Sequence, residues 1–141
     1  MRLSLLFFAA LFILNSCSKE TRIAKKLDGN WSVKLIRVLD GEGFMYFDSL
    51  PNGTFSFNSD LNTISANVVY QYTNLNGFVI KDTISVDKEK YVFNLKVDRF
   101  FFDLGSNSID TRILLLTKKY MELEYFDVDK YWLIRFILVK Y

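Results

Sequence analysis

The chain has 141 residues, of which 50% are hydrophobic and 17% aromatic, and its formal net charge is +2. This composition indicates one folded domain and excludes a disordered chain, and the scattered lysines and arginines exclude nucleic acid as a partner. The sequence has no histidine and one cysteine, which excludes Ser-His-Asp and Cys-His sites, zinc hydrolases and an intrachain disulfide. We expect no enzyme, no cofactor and no metal site, and a carboxylate-pair glycosidase is the weakest class left open.

The first predicted element is an apolar segment that ends close to the single cysteine. Met1 and Arg2 precede the apolar run 3–14, and Cys17 follows it. The run of about 12 residues is too short for a membrane-spanning helix, which needs about 20, and is typical of a secretory signal peptide. A cysteine at this place resembles the lipobox of bacterial lipoproteins. The resemblance implies cleavage before Cys17 and acylation of Cys17; an ordinary secreted protein with a chance cysteine is the alternative.

This segment divides the chain into three predicted parts. Residues 1–16 form a lipoprotein signal peptide, 17–26 the acylated N-terminus and its tether, and 27–141 the folded domain, with a short helical turn over 20–27. Two or more acyl chains, palmitate among them, anchor a protein stably. Ser18 is not the aspartate that marks inner-membrane retention, and Lys19-Glu20 resembles the surface-export signals of Bacteroidota lipoproteins. The expected location is therefore the cell envelope, with the chain lipid-anchored to the outer membrane of a Gram-negative bacterium.

The rest of the chain predicts strands separated by turns. Apolar and polar residues alternate, and β-branched and aromatic residues are frequent, as in half-buried strands. The predicted strands cover 31–35, 54–58, 64–72, 78–86, 91–97, 111–117, 120–126 and 131–141. The predicted turns lie at 52–53, 58–60, 74–77, 87–90, 118–119 and 127–130.

Short connections between these strands predict antiparallel neighbours. We expect an all-β fold, an antiparallel meander of about eight or nine strands that is closed or nearly closed into a barrel. The last strand is apolar on both faces and is expected to close against the strand that contains Trp31. A split sandwich would produce the same pattern and stays open as an alternative.

One motif carries a resemblance to a known family. Leu27-Asp28-Gly29-Asn30-Trp31 resembles the Leu-x-Gly-x-Trp start of the lipocalin-like domains found in Bacteroidota lipoproteins. The resemblance implies that Trp31 plugs the closed end of the barrel and that Arg135, in the last strand, packs on its ring. Such a cation–π contact contributes about 0.5–2 kcal/mol.

A set of aromatic residues is predicted either to line a cavity for a small apolar ligand or to fill the barrel core. Three consecutive aromatics, at 100–102, alternate between faces, so at least one faces outward or sits at an end of the barrel. The candidate cavity residues are Tyr70, Tyr72, Phe78, Phe93, Phe101, Trp132 and Phe136.

Two short patterns resemble known sites. Asp48-Ser49-Leu50 resembles the O-glycosylation signal of the Bacteroidota, which makes Ser49 a candidate acceptor. Asp127-Val128-Asp129 resembles part of a calcium loop, but it lacks the glycine and distal glutamate of an EF-hand and is interpreted as a solvated hairpin turn.

Two functions from different classes follow from these patterns. The first is a lipid-anchored envelope protein that holds a small apolar ligand in its barrel. The second is an accessory lipoprotein with a protein-interaction or structural role, including inhibition of a hydrolase, with a filled core and an exposed apolar patch. An open cavity favours the first function, and a filled core favours the second.

Overall fold

The computed structural model describes residues 19–48, 50–94, 98–104 and 107–141. Within these ranges the chain forms one helix followed by nine strands. The elements are α1 (Lys19–Leu27), β1 (Gly29–Leu39), β2 (Met45–Asp48), β3 (Asn52–Asn58), β4 (Thr63–Thr73), β5 (Val79–Asn94), β6 (Arg99–Leu104), β7 (Asn107–Leu116), β8 (Tyr120–Asp127) and β9 (Trp132–Lys140).

The strands form an antiparallel meander that closes on itself. Each strand from β3 to β9 pairs with the next, and β1 pairs with both β3 and β9. These eight strands complete a barrel. The short β2 pairs with residues 36–39 at the C-terminal end of β1, whereas β3 pairs with residues 29–32 at its N-terminal end. The prediction of an all-β closed barrel is therefore confirmed, including closure of the last strand against the strand of Trp31.

The meander gives the barrel two different ends. Helix α1 and the turns β3–β4 and β7–β8 lie at one end, which we call the closed end. The loops 40–44, 74–78 and 128–131 lie at the other end, which we call the open end. The asymmetry follows from the chain order, because α1 leads directly into the first residue of β1.

Two predicted turns are wrong. Residues 52–53 begin β3 and pair with β4. The residues 87–90 are polar and charged, but they continue β5 as a single strand instead of separating two strands. The register of β4 and β5 shifts between Ile64 and Ala66, and Lys88 takes a positive φ of 53° beside this shift. A β-bulge therefore absorbs the polar residues, and the Ser65 hydroxyl accepts a hydrogen bond from the Lys88 N–H at 3.0 Å.

Aromatic side chains fill the closed half of the barrel. The Phe57 ring makes edge contacts with Tyr91 at 6.1 Å and with Phe100 at 5.7 Å, measured between ring centroids. Phe55 makes an edge contact with Phe136 at 5.3 Å. Edge-to-face pairs of this kind are favourable beyond the area that they bury.

Helix α1 packs onto this core. Leu27 is completely buried, and Ile23, one helical turn earlier, is partly buried against the same cluster. The predicted tether 17–26 is thus helical in its described part. The helix is short, and none of the helices in the described residues is long and apolar enough to cross a membrane.

Candidate functional site

The barrel wall has an opening on one side near the open end. β5 pairs with β6 only from Tyr91 to Asn94, so residues 79–90 have no strand partner on that edge among the described residues. β7 pairs with β8 only up to Thr111 opposite Tyr125. Beyond these points the hairpin of β6 and β7 separates from β5 on one side and from β8 on the other. We call the resulting gap between β5 and β8 the window.

A cavity of about 600 Å³ lies behind the window. This volume is within the usual range of small-molecule sites, about 300–1,000 Å³. Its floor is made of inward-facing apolar side chains, and its rim is polar. The floor residues are Phe55, Ile84, Phe100, Phe102, Ile109, Leu123, Tyr125 and Phe136, and the rim residues include Asp82, Asp127, Asp129 and Lys130.

A network of polar groups crosses the window. The Lys130 ammonium on the β8–β9 loop forms an ion pair with Asp82 of β5 and lies 3.6 Å from the Asp127 carboxylate. Asp82 also accepts a hydrogen bond from the Tyr70 hydroxyl at 3.1 Å. The network connects the two strands where no backbone ladder joins them.

The environment fixes the protonation of these groups. Burial acts to raise the pKa of Asp82, but hydrogen bonds from Lys130, the Thr83 N–H and Tyr70 hold it below its ordinary value. Burial acts to lower the pKa of Lys130, but the Asp82 carboxylate raises it above its ordinary value. Burial is also the main cause that raises the pKa of Tyr70. At neutral pH the ion pair is charged and Tyr70 is a protonated donor.

Aromatic rings close the other part of the open end. The Tyr72 ring stacks on Tyr46 at 4.9 Å and makes an edge contact with Trp132 at 5.7 Å. Burial, followed by the charge of Asp82, raises the pKa of Tyr72 to about 12. The Lys130 ammonium lies 5.1 Å from the centre of the Trp132 ring, so this ring borders the polar network.

The prediction that Arg135 packs on the Trp31 ring at the closed end is wrong. Trp31 is completely buried, but the cation over its ring is Lys140, at 5.2 Å from the ring centre. Arg135 is paired with Glu124, at 2.7 Å between nitrogen and oxygen. The reason is the strand alternation: Ile134 and Phe136 are buried, so Arg135 between them faces outward, whereas Lys140 shares the inward face.

The predicted cavity residues are distributed over several environments. Phe136 lines the cavity, and Tyr70 is buried and supplies the hydroxyl that binds Asp82. Tyr72 and Trp132 lie together in the aromatic cluster beside it.

Three of the predicted cavity residues lie elsewhere. Phe93 lies near the C-terminal end of β5, next to helix α1. Phe78 is exposed in the loop before β5, with 66% of its surface accessible. Phe101 is half-buried on the outer face, because Phe100 and Phe102 take the inward positions.

The sequence patterns do not identify the polar side of the site. Asp82 and Lys130 are far apart in sequence and are not predicted as site residues, and Asp127 and Asp129 are predicted only as turn residues. The alternation in β5 places Asp82 on the inward face with Ile80 and Ile84, and an inward acid between apolar residues was the available signal. Two predicted modification sites, Cys17 and Ser49, lie outside the described residues.

The described residues contain no group of three or more His, Cys, Asp or Glu side chains that could hold a metal ion. The site is an apolar pocket with a charged, hydrogen-bonded rim.

Comparisons with known proteins give little to set beside this geometry. The sequence matches no protein-family model, and it matches none of the curated proteins. Among solved structures, the chain is similar to a deswapped triple mutant of bovine odorant-binding protein, with 12% identity and a TM-score of 0.42. The match covers 82% of this chain and 74% of that chain. A likeness this low supports no conclusion about function. The barrel fold follows from the strand pairing of the chain itself.

Proposed function

We propose that this chain is a lipid-anchored binding protein of the cell envelope, and that its barrel holds a small, largely apolar ligand. The observation that carries the proposal is the cavity of about 600 Å³ behind the window. Apolar side chains from β3, β6, β8 and β9 converge on its floor, and the charged groups lie at the rim. Sites for small molecules commonly combine an apolar lining with a few placed polar groups.

The anchoring half of the proposal rests on the N-terminal sequence. Cys17 follows a signal-like apolar run, and its acylation would attach the chain to the outer membrane. Lys19, two residues later, begins helix α1 at the closed end of the barrel. An anchor at Cys17 is thus compatible with an open end that points away from the lipid surface.

Ligand binding is tested with a substitution that fills the cavity. Thr111 is buried in β7 and lines the cavity, so Thr111→Phe places a large ring inside it. Thr54→Phe is the matched control, because Thr54 is exposed in β3 and lines no part of the cavity. N-phenyl-1-naphthylamine, a neutral fluorescent probe, reports binding. We expect the Thr111 variant to lose binding of this probe, because the new ring occupies the cavity, and the Thr54 variant to bind it like the parent. Equal binding by both variants would refute the cavity as the binding site.

A test of anchoring labels the cells with a fatty-acid probe. We expect the parent chain to incorporate the label and to fractionate with the outer membrane, and Cys17→Ala to lose both properties. A Cys17→Ala chain that still partitions with membranes would refute acylation at this residue.

A second function is supported by a separate observation. Large apolar side chains are exposed at the open end, among them Leu75 at 65% and Phe78 at 66% of their surface. Exposed apolar groups of this kind mark protein-interaction surfaces when they cluster. Native mass spectrometry of the gently extracted protein separates the two functions. A stable protein partner without a small molecule favours an accessory or inhibitory lipoprotein.

A further inference from the structure

We infer that the cavity selects amphiphiles with a cationic head group, such as an alkylammonium, over neutral or anionic ones with the same tail. The inference deepens the proposed function and rests on it. It is carried by the charges and contacts of the rim.

The rim already holds an ammonium group of the chain itself. The Lys130 ammonium is bound by the carboxylates of Asp82 and Asp127 and lies over the Trp132 ring. Carboxylates and an aromatic face are the two kinds of group that stabilise an ammonium ion. The rim chemistry therefore suits a cation.

The rim also keeps negative charge after this pairing. Asp82, Asp127 and Asp129 face one lysine, so these four residues have a net charge of −2. Asp129 is exposed, and its described hydrogen bond uses the backbone N–H, which leaves its carboxylate in no described ion pair. An anionic head group would meet Lys130 only after displacing one of its two carboxylates.

The wider open end has the same sign. Four described acids, Asp40, Glu42, Asp127 and Asp129, lie on or directly next to its loops, and Lys130 is the one cation in the same described segments. A cationic amphiphile is therefore favoured on approach as well as when bound.

The head group has a defined place relative to the tail. The floor, including Phe100, Leu123 and Phe136, is apolar and lies inside the barrel, while the acids lie at the rim. A tail on the floor brings the head group of the same molecule to the rim. Tail burial supplies affinity that is common to all head groups, and the rim supplies the difference between them.

The test compares decylammonium, decan-1-ol and decanoate, which share one tail, as competitors for N-phenyl-1-naphthylamine. The protein is the chain 17–141 with Cys17→Ser, which retains every described helix and strand. Decylammonium and decanoate are used below their critical micelle concentrations, and decan-1-ol below its solubility limit. We expect decylammonium to bind about threefold tighter than decanol, and decanoate to bind more weakly than decanol. Added salt should reduce both differences.

Single substitutions assign the selectivity to the rim. Asp129→Asn is expected to reduce the preference for decylammonium about twofold, and Asp60→Asn, at the closed end, to leave it unchanged. Lys130→Met is expected to increase the preference, since it leaves Asp82 and Asp127 without their cation. Asp129 is exposed, so its substitution should not impair folding.

The outcomes separate the two claims. If all three probes compete but decanoate binds as well as decylammonium, the cationic preference is overturned and the binding function stands. A preference that Asp129→Asn does not reduce while Asp60→Asn does would also overturn it. If none of the probes competes, the proposed binding function fails, and the preference fails with it.

Discussion

Trp31 links helix α1 to the barrel, and its substitution gives a sharp test of how the closed end is held together. The indole N–H donates a hydrogen bond to the carbonyl of Leu27 at 2.7 Å, and both residues are completely buried. The Leu27 carbonyl belongs to the last turn of the helix, where carbonyl groups have no intrahelical partner. The indole therefore caps the helix from the barrel interior.

We predict that Trp31→Phe lowers the free energy of unfolding by about 2–4 kcal/mol. Leaving the buried Leu27 carbonyl unpaired costs about 1–3 kcal/mol. The smaller ring also leaves unfilled volume, which adds to the cost by about 24 cal/mol for each Å³ of cavity. This loss is a large part of the roughly 5–15 kcal/mol by which a domain is stable.

The assay is urea unfolding of the chain 17–141 with Cys17→Ser, followed by far-ultraviolet circular dichroism. Trp132→Phe is the matched control, because Trp132 is only half-buried at the open end, and we expect it to cost less than about 1 kcal/mol. Lys140→Met, alone and combined with Trp31→Phe, measures the coupling between the ammonium and the ring. Equal losses for the two tryptophan substitutions would refute the assigned role of Trp31.

Three further predictions concern other parts of the barrel. Gly53→Ala should destabilise the fold by about 1–3 kcal/mol, because the new Cβ would lie 2.6 Å from the Val68 Cα, and a thermal melt would measure this. Asp82 has a folded-state pKa below its unfolded value of 3.8. Its ionised form therefore stabilises the fold above pH 3.8, and this contribution is lost as the pH falls through the folded-state pKa. Asp82→Asn should remove this part of the acid-side decline, seen as a flatter dependence of urea midpoints below pH 4. Phe78→Ser should leave the stability within about 0.5 kcal/mol of the parent and the cavity affinity unchanged, whereas capture of a protein partner at the open end would weaken.

The fold could be predicted because burial alternates cleanly along most strands. In β3, Phe55 and Phe57 are buried and the polar residues beside them are less so, which matches the alternation of apolar and polar residues in the sequence. The same pattern failed at 87–90, because a bulge allows charged residues to continue a strand when they are solvated on the outer face. Composition alone does not distinguish such a bulge from a turn.

The site could be predicted only in part, because it depends on contacts between distant residues. Phe136 was identified because aromatic inward residues are common in barrels, but the aromatic criterion also selected Phe78, which is exposed in a loop. The pairing of Asp82 with Lys130 joins residues 48 positions apart and arises from the opening between β5 and β8. Arg135 shows a similar limit, since its approximate position matched the expected role and its strand face did not.

The incomplete pairing of β5 has a consequence for hydrogen exchange. Amide groups of an antiparallel strand point alternately to its two neighbours, so those in 79–86, before the bulge, alternate between facing β4 and facing the window. The amides that face β4 are held in a ladder, and those that face the window have no strand acceptor among the described residues. Deuterium uptake along 79–86 should therefore alternate residue by residue, and a molecule bound at the window would be detected as slower exchange at every second position.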